Sequence, residues 1–199
     1  ERWGLMRWVQ KENIQEHPLQ AAMIAHALAV IANKYYGGSY NADAVAVKAM
    51  YHEGSEIITG DLPTPVKYFS PSIRGEYARV EEAARENLLS MLPEDLKGDY
   101  VSLLSEGEEE EKELWGLVKA ADKLSALIKC LQERRAGNME FLQAEKTLRR
   151  SIEEMKIPEA QVFLKEFLPA FCLTLDELDA VPEKENGKEP RENPEKSNL

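Results

Sequence analysis

A short run of apolar and acidic residues around one histidine gives the first indication of the fold. It reads Met50-Tyr51-His52-Glu53-Gly54-Ser55-Glu56. Upstream, Val45, Ala49 and His52 recur at spacings of four and three, which predicts a helix that begins after Asn41, a good N-cap. Histidine nitrogen and carboxylate oxygen suit borderline divalent cations, so the segment predicts a metal site at a helix end. A hydrogen-bonded core histidine is the alternative, and partners elsewhere in the chain decide between the two.

The residues that follow predict a stiff loop. They read Thr59-Gly60-Asp61-Leu62-Pro63-Thr64-Pro65-Val66-Lys67. Each proline fixes its own φ and disfavours helix at the residue before it. Such a loop can hold Asp61 and Thr64 against a ligand at low entropic cost, although an ordinary surface turn has the same composition.

Helical periodicity extends over most of the remaining chain, and no strand-like alternation of useful length occurs. Further helices are predicted at Pro18 to about Lys34, 73–92, 112–136, 139–156 and 158–171, with the acidic run Glu106 to Glu113 as a loop leading into a helix.

A chain of 199 residues with 43% hydrophobic content can bury one sizeable core. We therefore predict a single all-α domain over 1–178. Residues 179–199 are almost free of apolar side chains and are predicted to be disordered.

The apolar stripes of these helices carry polar residues. His17 lies near the start of the first helix, and His26 shares its stripe and is interpreted as a core histidine. Asp122 lies four residues after Val118 on the stripe of the 112–136 helix, where a carboxylate is costly unless it is paired or binds a metal. The stripe predicted for the first helix is Leu19, Ala22, Met23, Ala27, Val30 and Ile31, and that for 73–92 is Ile73, Tyr77, Val80, Ala84, Leu88 and Met91.

The net charge of the chain indicates which kinds of partner it can bind. The chain has 25 basic and 36 acidic residues, a formal charge of -11, which disfavours a nucleic acid because phosphate contacts need clustered Lys and Arg. A small anion could still bind through a local cation and a metal. No apolar run approaches the ~18 residues of a membrane span, and no signal peptide is visible, so we expect a cytoplasmic protein without a membrane partner.

The combined motifs resemble a known family. A histidine at a helix start in Glu16-His17, a paired histidine and carboxylate at a helix end, and Ala121-Asp122 inside a later helix resemble the HD-domain metal phosphohydrolases. Within that superfamily, Arg2-Trp3-Gly4-Leu5-Met6-Arg7 and the Gly60-to-Lys67 stretch resemble the 5'-deoxynucleotidases of the YfbR type, from residue 1 to roughly 178.

The resemblance implies a helical HD-domain bundle with a metal site in its core. It also implies an activity, the hydrolysis of 2'-deoxyribonucleoside 5'-monophosphates to deoxynucleoside and phosphate. It implies four ligands for one divalent cation such as cobalt or manganese: His17, His52, Glu53 and Asp122. It assigns general acid or base chemistry to Glu56, a phosphate clamp to Arg2 and packing on the sugar to Trp3. The substrate would also contact His17, Glu53, Asp61, Leu62, Pro63, Thr64 and Asp122. Family members are usually homodimers and carry a short segment ahead of the Arg-Trp pair, so we expect both here.

One position departs from the family pattern. The pair that names the superfamily is His-Asp, whereas this chain has His52-Glu53. The extra methylene moves the carboxylate by more than ~1 Å, and catalytic geometry tolerates roughly half of that. Three alternatives to a working deoxynucleotidase therefore stay open: a nucleotide-binding protein with impaired catalysis, an HD enzyme that removes triphosphate or pyrophosphate, and a non-enzymatic helical adaptor.

Overall fold

A computed structural model describes residues 1–105 and 112–179, and every regular element in those ranges is helical. The α-helices are α1 (Glu16–Tyr35), α2 (Ala42–Tyr51), α3 (Glu56–Thr59), α4 (Thr64–Lys67), α5 (Pro71–Ser90), α6 (Lys97–Leu104), α7 (Lys112–Arg135), α8 (Leu142–Glu154), α9 (Pro158–Val162) and α10 (Leu175–Asp179). A 3-10 turn, Met139–Phe141, precedes α8, and a π-helical turn, Phe163–Phe167, and a 3-10 turn, Leu168–Cys172, follow α9. The all-α prediction is confirmed. The predicted disordered tail and most of the acidic run lie outside the described residues.

The core forms where α1 packs against α2 and α7, with α8 and α9 closing the other sides. Small side chains line the core face of α1: Ala21, Ala25 and Ala29 are each fully buried. Alanine adds little bulk, so the neighbouring helices can approach α1 closely. The apolar stripe of α7 faces this core as predicted, with Val118, Ala121 and Ile128 fully buried.

The predicted inner face of α1 was partly wrong. Leu19, Met23 and Val30 are exposed, and His26 is 47% exposed beside Asp43 rather than a core residue. Alanine-rich helices satisfy helical spacing on more than one face, and the docking of α2 and α7 selects the face with the smallest side chains.

The edge of the fold near α5 also differs from the prediction. Only Ala84 of its stripe is fully buried, whereas Val80 and Met91 are 51% and 68% exposed. Helix α5 packs against the short helices α3, α4 and α6, which leaves an apolar face uncovered in the described chain. Helix α6 is not among the helices predicted from the sequence.

Local signals explain how α2 begins and ends. The Asn41 side chain accepts a hydrogen bond from the Ala44 amide at 3.1 Å, which caps α2 as predicted. The helix ends at Tyr51, before Gly54. A Cβ at Gly54 would lie 2.7 Å from the Leu104 side chain, so this glycine allows the close packing of Leu104 from α6.

Residues 1–15, which we call the N-terminal strap, are anchored on α7. The Glu133 carboxylate accepts hydrogen bonds from the Val9 and Gln10 amides at 2.7 and 3.0 Å and pairs with the Lys129 ammonium at 2.6 Å. Asn138 donates to the Arg7 carbonyl at 2.7 Å. Burial alone would raise the pKa of Glu133, but Lys129 and the two amides lower it to about 2.

We expect Glu133→Gln to lower the free energy of unfolding by about 3 kcal/mol, because it leaves the buried Lys129 ammonium without its counter-charge. Because the pKa of Glu133 is lowered from 4.5 to about 2, its charge stabilises the fold fully above pH 4.5, and this stabilisation is lost as the pH falls towards 2. Urea denaturation of both proteins at several pH values measures it. Glu154→Gln, on the exposed surface of α8, is the control and should change stability by less than about 0.5 kcal/mol. A difference that persists at pH 2 would contradict the role of the charge.

Within residues 1–105 and 112–179, no helix is long and apolar enough to cross a membrane.

Candidate metal and active site

Four side chains from three helical regions meet at the end of α2. His17 comes from the first turn of α1, His52 and Glu53 directly follow α2, and Asp122 comes from the middle of α7. The His17 Nε2 atom lies 3.0 Å from Asp122 Oδ1 and 3.4 Å from Glu53 Oε1. His52 Nε2 lies 3.8 and 3.9 Å from the same two oxygens. One ligand atom from each residue falls within 4.8 Å of all the others.

The ring of His52 has a defined tautomer. Its Nδ1 atom lies 2.6 Å from the Ala49 carbonyl oxygen, which can only accept, so Nδ1 carries the proton. In the neutral form of this ring, Nε2 is the nitrogen with the lone pair; it faces the cluster and has no hydrogen-bond partner although it is buried. This arrangement is the one that metal-ligating histidines use, with the second nitrogen donating to a carbonyl.

The ring of His17 is oriented in the same way by two residues that the sequence analysis did not single out as site residues. Ser125 Oγ donates to the Gln20 side-chain oxygen at 2.7 Å and therefore accepts from His17 Nδ1, at 3.0 Å. His17 Nε2 then also presents a lone pair to the cluster. Ser125 lies three residues after Asp122 on the same stripe of α7, and that spacing was the available signal.

The pKa shifts of His17 and Asp122 favour metal binding by these two side chains. Burial lowers the pKa of His17, which is fully enclosed, and the nearby Arg2 and His52 lower it further against the opposing effect of Asp122. Burial would raise the pKa of Asp122, but the two adjacent histidine side chains hold it well below its usual range. The lowered pKa values favour a neutral His17 imidazole and an ionised Asp122 carboxylate, the states in which these side chains bind metal ions.

The donor set fits a divalent cation. Two unprotonated acceptors at 3.0 Å, such as His17 Nε2 and Asp122 Oδ1, repel each other unless a positive charge lies between them. Donors that bind one ion at about 2.2 Å lie within about 4.4 Å of each other, and the four measured separations of 3.0 to 3.9 Å satisfy this limit. The buried Glu53 Oε2 also lacks a hydrogen-bond partner, and a cation bound beside it would compensate for this.

Glu56 is a further carboxyl group beside this cluster. It begins α3, three residues after Glu53, and its buried Oε2 has no hydrogen-bond partner. Burial and the negative charge of Asp61 raise its pKa to about 7. A carboxyl group that titrates near neutral pH can both accept and donate a proton under working conditions.

The strap brings Arg2 and Trp3 to the same place. Arg2 is 8% exposed, and its guanidinium pairs with Glu53 through Nη1 and donates from Nε to Glu12 at 3.1 Å. The Trp3 amide donates to Asp61 Oδ2 at 3.0 Å, which ties the strap to the loop after α3. Arg2 therefore lies at the edge of the cluster of four donors, and Trp3 is the strap residue that contacts the Asp61 loop.

The predicted stiff loop is partly helical. Pro63 precedes the single turn α4, whose residue Thr64 is exposed. Leu62, Pro63 and Thr64 follow Asp61 directly, but among the described contacts none of their side chains makes a hydrogen bond or ion pair with the four clustered residues. The Lys67 ammonium pairs with Glu81 at 2.7 Å, so it turns towards α5.

An all-α chain with this cluster of histidines and carboxylates has the architecture of the HD-domain metal phosphohydrolases. Its fold is similar to the crystal structure of an HD-domain phosphohydrolase from Listeria innocua, with a TM-score of 0.71 and 26% identity over 87% of this chain and 83% of that one. A protein from Pyrococcus horikoshii has the same fold, with a TM-score of 0.61, 21% identity and coverage of 85% and 87% of the two chains.

Sequence comparison resolves the family. The model of the YfbR-like 5'-deoxynucleotidase family matches residues 1–171, and the chain belongs to this family. It is 51% identical to a 5'-deoxynucleotidase of Vibrio vulnificus over 178 residues, which covers 89% of this chain and 91% of the relative. A 5'-deoxynucleotidase of Yersinia pestis is 49% identical over 179 residues, with 89% of both chains covered. The family resemblance seen in the sequence is confirmed.

Proposed function

We propose that the chain hydrolyses 2'-deoxyribonucleoside 5'-monophosphates to a deoxynucleoside and phosphate with the help of a divalent cation. The observation that carries this proposal is the four-donor cluster with Arg2 and Glu56 beside it, in a chain whose family is named for that activity. The cluster offers a place for a cation, Arg2 a place for the phosphate, and Glu56 a group that moves protons.

His17, His52, Glu53 and Asp122 would hold the cation, because mixed nitrogen and oxygen donors suit borderline divalent ions, and the family resemblance implies cobalt or manganese. A divalent cation in such a site supplies Lewis-acid chemistry, because it lowers the pKa of water and polarises phosphoryl oxygens. Asp122 keeps 37% of its side chain exposed, whereas His17 is fully enclosed, so a substrate reaches the cluster from the side of Asp122.

Glu56 would act as the general base and acid of the reaction. Its raised pKa allows it to take a proton from the attacking water and to return one to the leaving 5'-oxygen. Because the four clustered donors suffice for the cation, Glu56 is available for this role.

The substrate would be held by the strap and by the loop after α3. Arg2 orients the phosphate by charge and by the N–H donors that its contacts with Glu12 and Glu53 leave over. Trp3 packs on the sugar, and Asp61, Leu62, Pro63 and Thr64 line the nucleoside side, with Asp61 and Thr64 at the sugar hydroxyls. A close fit at the sugar excludes a 2'-hydroxyl and thereby selects deoxyribonucleotides.

The test is phosphate release from deoxyadenosine and adenosine 5'-monophosphates with cobalt or manganese. We expect release from the deoxy compound and little from the ribo compound. Release of inorganic triphosphate from a deoxynucleoside triphosphate instead would favour the alternative HD activity. A protein that binds no metal and releases no phosphate would be the non-enzymatic adaptor.

The Glu53→Asp variant tests the departure from the family pattern. We expect both proteins to turn over the deoxy substrate, with kcat/KM values within about tenfold of each other, because the Glu53 carboxylate already reaches within 3.4 Å of His17 Nε2. Steady-state kinetics at saturating manganese measures this. Activity in the aspartate variant alone would show that the parent is a nucleotide binder with impaired catalysis.

We further propose a homodimer that acts in the cytoplasm, where the nucleotide pools are. The uncovered apolar face of α5, with Val80 51% and Met91 68% exposed, supports association with a second copy. Light scattering coupled to size exclusion measures the mass and tests the dimer.

A further inference from the structure

Glu12, which belongs to none of the motifs of the sequence analysis, contacts both strap residues that the proposed function assigns to the substrate. Its Oε2 atom accepts one hydrogen bond from Arg2 Nε at 3.1 Å and another from Trp3 Nε1 at 3.0 Å. The Glu12 carbonyl also accepts from the Arg2 amide at 2.9 Å. The Glu12 side chain is 11% exposed, so these contacts are shielded from water.

The backbone of Trp3 needs such support. Its φ is 61°, in the left-handed region that a bulky side chain rarely occupies, and this conformation persists only when surrounding contacts enforce it. Asp61 holds the amide, Glu12 holds the indole nitrogen, and the ring packs against the buried Phe141 at a centroid distance of 5.2 Å. Glu12 is the member of this set that also contacts Arg2.

Glu12 is itself fixed by its neighbours in the chain. On one side, the Gln10 amide is bound by the buried Glu133 carboxylate at 3.0 Å. On the other side, the Asn13 side chain accepts hydrogen bonds from the Gln15 and Glu16 amides at 2.8 and 3.0 Å, which forms the turn into α1. A carboxylate between two fixed points is a rigid reference for the groups it binds.

We propose that Glu12 is a positioning residue that holds the Arg2 guanidinium and the Trp3 indole in the arrangement that binds the substrate's phosphate and sugar. This inference rests on the proposed function. Glu12 aims Arg2 by a charge-assisted hydrogen bond to Nε, so that the terminal nitrogens point to the cluster. The same oxygen sets the plane of the Trp3 ring, and one carboxylate thus couples phosphate recognition to sugar recognition.

Kinetics of Glu12→Ala, Glu12→Gln and Glu1→Gln test the proposal, with deoxyadenosine 5'-monophosphate as substrate at saturating manganese. We expect Glu12→Ala to raise KM about 10- to 100-fold and to change kcat much less, because substrate binding loses a preorganised clamp. Glu12→Gln keeps an oxygen acceptor of the same length and should restore KM to within about fivefold of the parent. Glu1→Gln removes a charge from the same strap at an exposed pair with Lys11 and should match the parent.

Two further measurements separate positioning from a general loss of structure. In an Arg2→Ala background, Glu12→Ala should raise KM less than it does in the parent, because one of the two residues through which it acts is gone. In metal-free protein with Trp8→Phe and Trp115→Phe, acrylamide should quench the Trp3 emission more strongly after Glu12→Ala and as in the parent after Glu12→Gln.

Unchanged KM and unchanged Trp3 quenching in Glu12→Ala would overturn the proposal, and so would a lower KM, which would show that Glu12 merely repels the phosphate. If Glu12→Ala does not fold, a KM for Glu12→Gln that is as high as that of Arg2→Ala would overturn it as well. Failure of the proposed function is distinguishable, because the parent itself would then release no phosphate whereas the quenching result would still be obtained.

Discussion

Replacing Asp122 by asparagine should abolish phosphate release, to less than about one thousandth of the parent rate, and weaken manganese binding at least about 100-fold. Asp122 supplies the carboxylate oxygen that lies within 3.8 Å of both histidine Nε2 atoms. An amide oxygen at this position carries no negative charge to balance a divalent cation. Isothermal titration with manganese and an assay of phosphate release measure the two effects on the same preparation.

Asp43→Asn is the matched control, because it removes the same charge from a side chain that is 93% exposed on α2. It should leave metal affinity and turnover unchanged. Retention of both properties in Asp122→Asn would remove this residue from the ligand set, and loss of turnover with full metal affinity would reassign it to the substrate.

Replacing Glu56 by glutamine should lower kcat by about 10²- to 10⁴-fold and leave manganese affinity within about threefold of the parent. The substitution keeps the size of a side chain that begins α3 and removes its capacity to accept a proton. Together with Asp122→Asn it separates proton transfer from metal binding. Glu76→Gln on the exposed surface of α5 is the control with no expected effect. A strong loss of metal in Glu56→Gln would identify Glu56 as a fifth ligand.

The raised pKa of Glu56 also predicts how stability depends on pH. The folded protein keeps this carboxyl group protonated up to a pKa of about 7, whereas the unfolded chain loses the proton near the ordinary value of 4.5. The stability that protonated Glu56 contributes to the fold is therefore present below pH 4.5 and is lost as the pH rises through 7. The metal-free parent should therefore lose stability relative to Glu56→Gln over this interval, since glutamine is neutral at every pH. Urea denaturation at pH 4.5, 6 and 8 gives the difference.

The central helices could be predicted from the sequence because each carries its own signals. Asn41 marks the start of α2, and the spacing from Val118 through Ile128 reveals the buried face of α7. The same spacing exposes Asp122 as a carboxylate in an apolar stripe, which is an anomaly that needs a partner. A residue that carries chemistry and breaks an apolar pattern is thus recognisable in the sequence itself.

The remaining features depend on tertiary contacts that leave no local pattern. Helix α6 has weak periodicity and packs against α2 and α5, where Leu104 meets Gly54. The core face of α1 is decided by alanines that any helical spacing accommodates. Glu12 is one acidic residue among 36 Asp and Glu, and only the folded strap shows that it contacts Arg2 and Trp3.

The distance along the chain between His17 and Asp122 has a consequence for assembly. These two proposed ligands are 105 residues apart in sequence, so a cation that bound both would close a loop of more than half the protein. Closing such a loop in an unfolded chain costs entropy, and this cost disfavours metal capture before α1 and α7 have docked. With the proposed ligands, we therefore expect the metal to bind late in folding, after the core has formed. A bound ion would act as a reversible cross-link that slows the separation of the two helices, and chelation should make the chain easier for proteases to cut.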